Sequence, residues 1–449
     1  MKQQLFLIIS FFVFTNSFSQ QSKLVSGPWA GNVGLRTATI WAEVTNDTKK
    51  ITIKYFAHNN TKNVITKYYT NGLGKDFNPV KIELNALEPN TIYTYNLWLD
   101  DKEVKTTFTT NFTTKDLWQW RKPAPDFSFL AGSCAYFNEP IYDRPGKPYG
   151  DDSSIFEIMA TVPAAFHLWM GDNWYTREVD YESVWGLNYR ASHDRSYKVL
   201  QKFMAAMPQY AIWDDHDYGP NDAGKNYIYK DESRQIFKNY SANPSYGENG
   251  KGIYTLVNYG DVDLFLTDNR YFRSNDRIAD SIDGKPNADK HFFGPMQMEW
   301  LKNSLLFSNA TFKIIVVGSQ VMNPLNDLET MQKYSYEYYD LLNFIKQQKI
   351  RGVIFFTGDR HHSAVTKVEQ QGFYPLYDVT ISSYTAGISK PSGDEKDSPF
   401  RVNGTLVEEH NFGKISVSGD KKNRVLKVDF INTKGQQLGT WSVNSNELK

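Results

Sequence analysis

The chain reads as α/β, a layered domain preceded by a small β-sandwich. Two patterns carry that reading. From about residue 24 to 115, short runs alternate polar and apolar side chains between turns, the period of half-buried strands. From Asp126 onward, continuous apolar runs alternate with stretches of helical spacing, as in layered α/β domains. A third observation concerns function: polar clusters rich in aspartate and histidine follow several of those apolar runs directly.

The 449 residues suit about two or three domains. Residues 1–19 read as a secretory signal: Lys2 supplies the positive start, 5–14 is a short apolar core, and Ser17 and Ser19 occupy the small-residue positions of a cleavage site. A retained N-terminal anchor is the alternative. No other run approaches membrane length, so a secreted or periplasmic protein without a transmembrane segment is expected. Residues 20–120 form the expected β-domain, with strands at 37–44 and 51–56 and a closing strand at 106–110. The segment 87–95 resembles the tyrosine-corner segment of fibronectin type III domains, where a tyrosine hydroxyl ties a strand start to the preceding turn. Residues 115–125 read as a linker. The larger domain, 121–449, offers strands at 127–131, 165–170, 262–266, 313–317 and 353–356. Helices are expected near 155–159 behind Asp152 and Ser153, from Pro295 through Leu305, and over 334–349. The tail, 412–443, returns to strand alternation around turns at Gly419-Asp420 and Lys434-Gly435.

Composition excludes some classes. Hydrophobic content of 40% and aromatic content of 15% rule out a disordered chain. A formal net charge of zero, with no basic run, disfavours a nucleic-acid partner. The lone cysteine, Cys134, cannot form a disulfide within the chain and is either a buried small hydrophobe or a ligand.

The densest cluster is 213–222, Trp-Asp-Asp-His-Asp-Tyr-Gly-Pro-Asn-Asp, behind the apolar approach 210–213. Like charges this close repel, and bound cations are the simplest answer. A solvated acidic turn is the plainer reading, but it leaves a histidine between carboxylates after a buried strand unexplained. Three further clusters follow strands: Gly132-Ser133-Cys134, Gly171-Asp172-Asn173-Trp174-Tyr175, and Gly358-Asp359-Arg360-His361-His362. Ligands of α/β sheets sit beyond the carboxyl ends of the strands, so these four can meet at one site.

Together these segments resemble the calcineurin-like metallophosphatase superfamily, and within it the alkaline phosphatase D (PhoD-like) family. The matching pieces are Gly-Ser-Cys at 132–134, Gly-Asp-x-x-Tyr at 171–175, Trp-Asp-Asp-His-Asp at 213–217 and Gly-Asp-x-His-His at 358–362, with a Ser-Gly-Pro-like opening at 26–28. The resemblance implies a four-layer α/β sandwich with a multinuclear metal centre. It implies that Asp172 bridges metals, that Tyr175 binds ferric iron as in purple acid phosphatases, and that Cys134 is a thiolate ligand to iron. Asp215, Asp359 and His361 complete the set, with Asp215 standing where the wider superfamily has asparagine. One Fe3+ with one or two Ca2+ is the implied metal content, other divalent cations being alternatives. Thiolate and phenolate suit ferric iron, and carboxylates suit calcium; a zinc-only site would show more histidines or cysteines at short spacing.

The expected reaction is hydrolysis of a small phosphate ester by metal-activated water. His216 is the candidate transition-state donor or general acid, its alternative a metal ligand or a supporting residue. Arg360 is the candidate phosphate grip, its alternative a structural ion pair. Asn221 would bind metal or substrate, or serve as a turn residue. His362 would orient a neighbouring ligand; Asp214 and Asp217 would support the site or touch calcium. Alternatives are a phosphodiesterase or phospholipase D-like preference, and a non-catalytic binding protein stabilised by metals. A serine hydrolase is disfavoured, since neither Ser133 nor Ser319 sits in Gly-x-Ser-x-Gly.

Overall fold

A computed structural model describes residues 22–449; the expected signal segment, 1–19, lies outside the described residues. Two six-stranded sheets dominate it. In the first, Gln209–Ile212, His167–Met170 and Phe127–Gly132 run parallel, and Asn411–Ser418, Val425–Asn432 and Gln437–Asn444 continue the sheet antiparallel. The tail is therefore half of a sheet and not an appendage. In the second, Val262–Leu266, Phe312–Val317, Val353–Thr357 and Leu376–Thr380 run parallel, with Thr255–Tyr259 and Ala364–Val368 antiparallel at the edges.

The central strands are mostly apolar because both faces are covered. All six residues of Phe312–Val317 and all five of Val353–Thr357 are buried. Side chains of both sheets enter one core, where Phe129 of the first stacks near Phe356 of the second with ring centroids 6.4 Å apart. Helices Gly294–Phe307 and Ser335–Gln347 fall where helical spacing places them. Helix Val184–Arg195 does not follow apolar spacing, because it buries Arg190, Asp194 and Arg195. Arg190 is answered by Asp180 at 2.8 Å, Glu139 at 2.9 Å and Asp194 at 3.1 Å.

The N-terminal region is two small sheets around a core of its own, Leu24–Val33, Ala38–Val44 and Pro79–Leu84 in one, and strands between Ile51 and Thr113 in the other. Tyr93 Oη accepts from Glu88 N at 2.9 Å, tying the strand Ile92–Leu99 to the preceding turn. The closing strand is Asn111–Thr113 and not 106–110. Thr106 instead turns the chain by donating to Phe108 O at 2.7 Å, and Phe112 is the residue buried against Tyr93. This region docks on the larger one tightly. A Cβ at Gly31 would lie 2.1 Å from that of Ala242, so only glycine permits the approach. Trp41 Nε1 donates to Asn239 O at 2.7 Å, and the buried Glu43 accepts from Ser192 and Tyr240 at 2.9 and 2.7 Å.

Candidate metal centre

The functional side chains stand just beyond the carboxyl ends of the parallel strands. Cys134 follows Phe127–Gly132, Asp172 follows His167–Met170, Asp214 and Asp215 follow Gln209–Ile212, and Asp359 follows Val353–Thr357. Non-glycine residues there have positive φ, among them Cys134 at 65°, Asp172 at 52°, Asp359 at 68° and His361 at 56°. That conformation is costly outside glycine and persists where the surroundings over-determine it. Gly171, at φ 100°, makes room for the turn before Asp172; a Cβ there would lie 2.7 Å from Asp214 Cβ.

Ligand-type atoms gather in four triads, each within 4.8 Å: Cys134, Asp172 and His361; Asp172, Asp215 and His216; Asp214, Glu329 and Asp359; and Asp215, Asp222 and Glu329. Asp172, Asp215 and Glu329 are each shared by two triads, so the four are continuous. Cys134 Sγ is 3.5 Å from Asp172 Oδ2 and accepts from Ser382 Oγ at 3.2 Å. Tyr175 Oη donates to Asp172 Oδ2 at 3.0 Å and stands 3.2 Å from His361 Nε2. Its ring stacks on that of His216 with centroids 4.2 Å apart. The carbonyl of Gly387, 2.7 Å from His361 Nδ1, can only accept. Nδ1 therefore carries the proton, and Nε2 turns its lone pair toward Tyr175 and the cluster.

The electrostatics call for cations. Burial first, then the charges of Cys134 and Asp215, hold Asp172 well above the ordinary carboxylate range. Burial and the charges of Glu329 and Asp214 do the same to Asp359. Burial pushes Cys134 up to about 12 against the hydroxyls of Ser133 and Ser382, and lifts Tyr175 well above the usual phenol. Asp214 is raised by burial to about 6, although Arg270 opposes the shift. The Asp215 carboxyl is lowered; burial raises it, but His216, Arg270 and the amide of Asp222 outweigh that. Two buried arginines answer part of the charge. Arg270 donates to Asp214 at 2.5 Å and Glu329 at 2.8 Å and lies 3.9 Å from Asp215; Arg273 reaches Glu329 at 2.8 Å. Among the described residues, Asp214 Oδ2 and His216 Nδ1 are buried without a hydrogen-bond partner. Anionic donors that cannot all ionise together, with orphaned acceptors among them, fit bound cations.

Other expected residues lie apart. The Arg360 guanidinium is buried against Glu395 Oε2 at 2.6 Å and Asn326. His362 Nδ1 faces Ser389 O at 3.0 Å. Asp217 caps its own turn, accepting from Asn173 N at 2.7 Å and Asp214 N at 2.9 Å. Asn221 is exposed, while its neighbour Asp222 joins a triad. Asp222 enters the sequence reading only as a member of the 213–222 cluster, with no role of its own, and Glu329 and Arg270 are absent from it. Arg270 was within reach of it: Thr267-Asp268-Asn269-Arg270 follows the apolar strand Val262–Leu266 as the other clusters follow theirs.

A mixed α/β fold of several sheets, with acidic clusters able to hold metal ions at its strand ends, is of the metallophosphatase type. The profile of the PhoD-like phosphatases matches residues 129–402, and the chain belongs to that family. Alkaline phosphatase D of Bacillus subtilis (strain 168) is 25% identical over 328 residues, 63% of this chain and 53% of that protein. The chain thus spans about half the length of that curated relative. A solved structure of PhoD superposes with a TM-score of 0.73 at 17% identity, covering 96% of this chain and 92% of the other. Purple acid phosphatase PPD1 from yellow lupin (Lupinus luteus) seeds gives 0.64 at 12% identity, covering 93% and 74%. At these identities the two structures speak for the fold. Among the described residues, no helix is long and apolar enough to cross a membrane.

Proposed function

We propose that the chain is a metal-dependent phosphoesterase acting on small phosphate esters. The single observation that carries this is the continuous set of four ligand triads at the strand ends. Cys134, Asp172, Tyr175 and His361 would hold a ferric ion, since thiolate, phenolate, imidazole and carboxylate meet there. Asp214, Asp215, Asp222, Glu329 and Asp359 would hold one or two calcium ions, which favour carboxylate oxygens. Bound in this way, such ions lower the pKa of water and neutralise phosphoryl oxygens.

The protein's own groups supply orientation and protons. The Gly387 carbonyl fixes the His361 tautomer, and Tyr175 packs against His216 and locates its ring. His216 is the group we assign to proton donation to the leaving oxygen; burial lowers its pKa, and Asp215 acts against that. The paired guanidinium of Arg360 supports a structural role, steadying the turn that carries Asp359 and His361. We also propose export, on Lys2 and the apolar stretch 5–14. A fibronectin-III-like character of residues 20–120, ahead of a catalytic region 121–449, draws support from the tie of Tyr93 to Glu88.

The test is turnover of a phosphate monoester and a diester by the purified chain, with elemental analysis before and after chelation. Activity on one or both, lost with the metals and restored by iron and calcium, is expected. A fully active chain devoid of iron and divalent cations would refute the reading.

A further inference from the structure

One tyrosine at the mouth of the centre has no part in the chemistry above. Tyr149 sits on the loop 138–151, whose ends are clamped together. Asn138 Nδ2 donates to Gly150 O at 2.7 Å, and Gly150 N donates to Asn138 Oδ1 at 2.9 Å. Asp151 N donates to Thr385 O at 2.8 Å. Within the loop, Asp143 accepts from Tyr136 Oη and Glu139 N, both at 2.7 Å, and pairs with Arg177 at 2.9 Å. A side chain on a loop held like this meets a ligand at little further ordering cost.

Tyr149 connects the centre to solvent. Its Oη lies 3.0 Å from His361 Nδ1, yet the residue is 46% exposed. The ring is 5.0 Å from that of Tyr136 and 6.4 Å from that of Tyr175, in near-perpendicular contacts of 78° and 64°. One edge is backed by Gly387, where a Cβ would stand 3.1 Å from Tyr149 Cε2. Tyr136 is less available, since the Arg177 guanidinium lies 4.2 Å from its ring centroid. Tyr149 therefore offers a fixed aromatic surface, wet on the outside and anchored at a candidate metal ligand on the inside.

We propose that Tyr149 is a specificity-determining residue whose exposed ring receives the organic substituent of the ester, favouring aryl or other flat apolar groups over small alkyl groups. The proposal rests on the phosphoesterase reading. A phosphoryl group held at the triads places its substituent on the solvent side, where this ring stands. An aromatic contact of this kind is worth about three- to tenfold in affinity.

The experiment uses the full metal-loaded chain. The phenyl-over-ethyl preference in kcat/KM is measured with phenyl and ethyl phosphate. The phenyl-over-methyl preference in binding is measured by calorimetry with phenylphosphonate and methylphosphonate. In Tyr149→Ala both preferences should fall about three- to tenfold, and Tyr149→Phe should retain them. Tyr149→Asn, which keeps a polar side chain at the mouth, should show the same loss if the alanine variant does not fold. Equal losses on aryl and alkyl ligands, unchanged preferences, or the same loss in Tyr149→Phe would overturn the proposal, the last by tracing the effect to the hydroxyl on His361. A wild-type chain that turns over neither ester, yet binds phenylphosphonate through Tyr149, would sink the phosphoesterase reading and uphold the binding role. Binding of neither phosphonate sinks both.

Discussion

Replacing Asp172 with asparagine should separate the stability of the empty site from that of the loaded one. Asp172 belongs to two of the four triads; its Oδ2 accepts from Tyr175 at 3.0 Å and its Oδ1 from the His216 amide at 3.3 Å. Asparagine keeps the shape and removes the charge. With cations chelated, wild type holds buried acidic groups that repel one another, and Asp172→Asn removes one of them. The chelated variant should melt at or above chelated wild type. With cations at about a thousand times their Kd, linkage adds about 4 kcal/mol to the wild-type native state. An unfolding entropy of about 2.1 cal/mol/K per residue comes to roughly 0.9 kcal/mol/K for a chain of this size, so the melting temperature should rise by about 4–5 °C. Asp172→Asn should lose most of that rise, and its monoester turnover should fall by about 10³-fold or more, the equivalent of about 4 kcal/mol of transition-state stabilisation. Scanning calorimetry of both proteins, with chelator and with iron and calcium, makes the comparison. A wild type that melts identically in both conditions, or a variant that gains as much as wild type, refutes the reasoning.

Three other outcomes follow from the same physics. Burial raises Glu43 from 4.5 to about 7 despite the hydroxyls of Tyr240 and Ser192; the unfolded chain therefore releases that proton first, and wild type loses stability as pH rises from about 4.5 through about 7. Chemical unfolding should find Glu43→Gln level with wild type near pH 4 and about 3 kcal/mol more stable near pH 8.5, and a less stable variant at the higher pH contradicts this. Arg270→Met strips the cation from Asp214, Asp215 and Glu329 and should cost about 3–5 kcal/mol without added metal, part of it recovered with calcium; an unchanged unfolding midpoint would show that Arg270 is not the countercharge. His216→Ala should lower turnover by about 10²–10⁴-fold while keeping most of the cation-dependent rise in melting temperature; loss of that rise would make His216 a ligand and not a proton donor.

What could be read from the residues alone depended on how each one is buried. Strands covered on both faces are nearly continuous apolar runs, so Phe312–Val317 and Val353–Thr357 stand out, and so do the polar turns behind them. Helix Val184–Arg195 is hidden from the same reading, because its inward face carries Arg190 and Asp194. The burial of Arg190 depends on Glu139 and Asp180, which no local pattern connects to it. Glu329 is hidden for a similar reason. It lies in the irregular stretch after Phe312–Val317, and Arg270 and Arg273, 59 and 56 residues earlier in the chain, tie it to the site. Arg360 shows the converse, a residue within a recognisable motif whose partner, Glu395, is 35 residues away. Patterns of side-chain type thus locate the turns that feed the site, whereas pairing across the chain decides which members of a turn face it. The positive φ angles at Cys134, Asp172, Asp359 and His361 join the two levels. Each is locally unfavourable, they occur beyond the ends of three different strands, and the side chains of Cys134, Asp172 and His361 meet within 4.8 Å. Tertiary packing selects those backbone conformations, which is why the motifs point to the centre without disclosing its full membership.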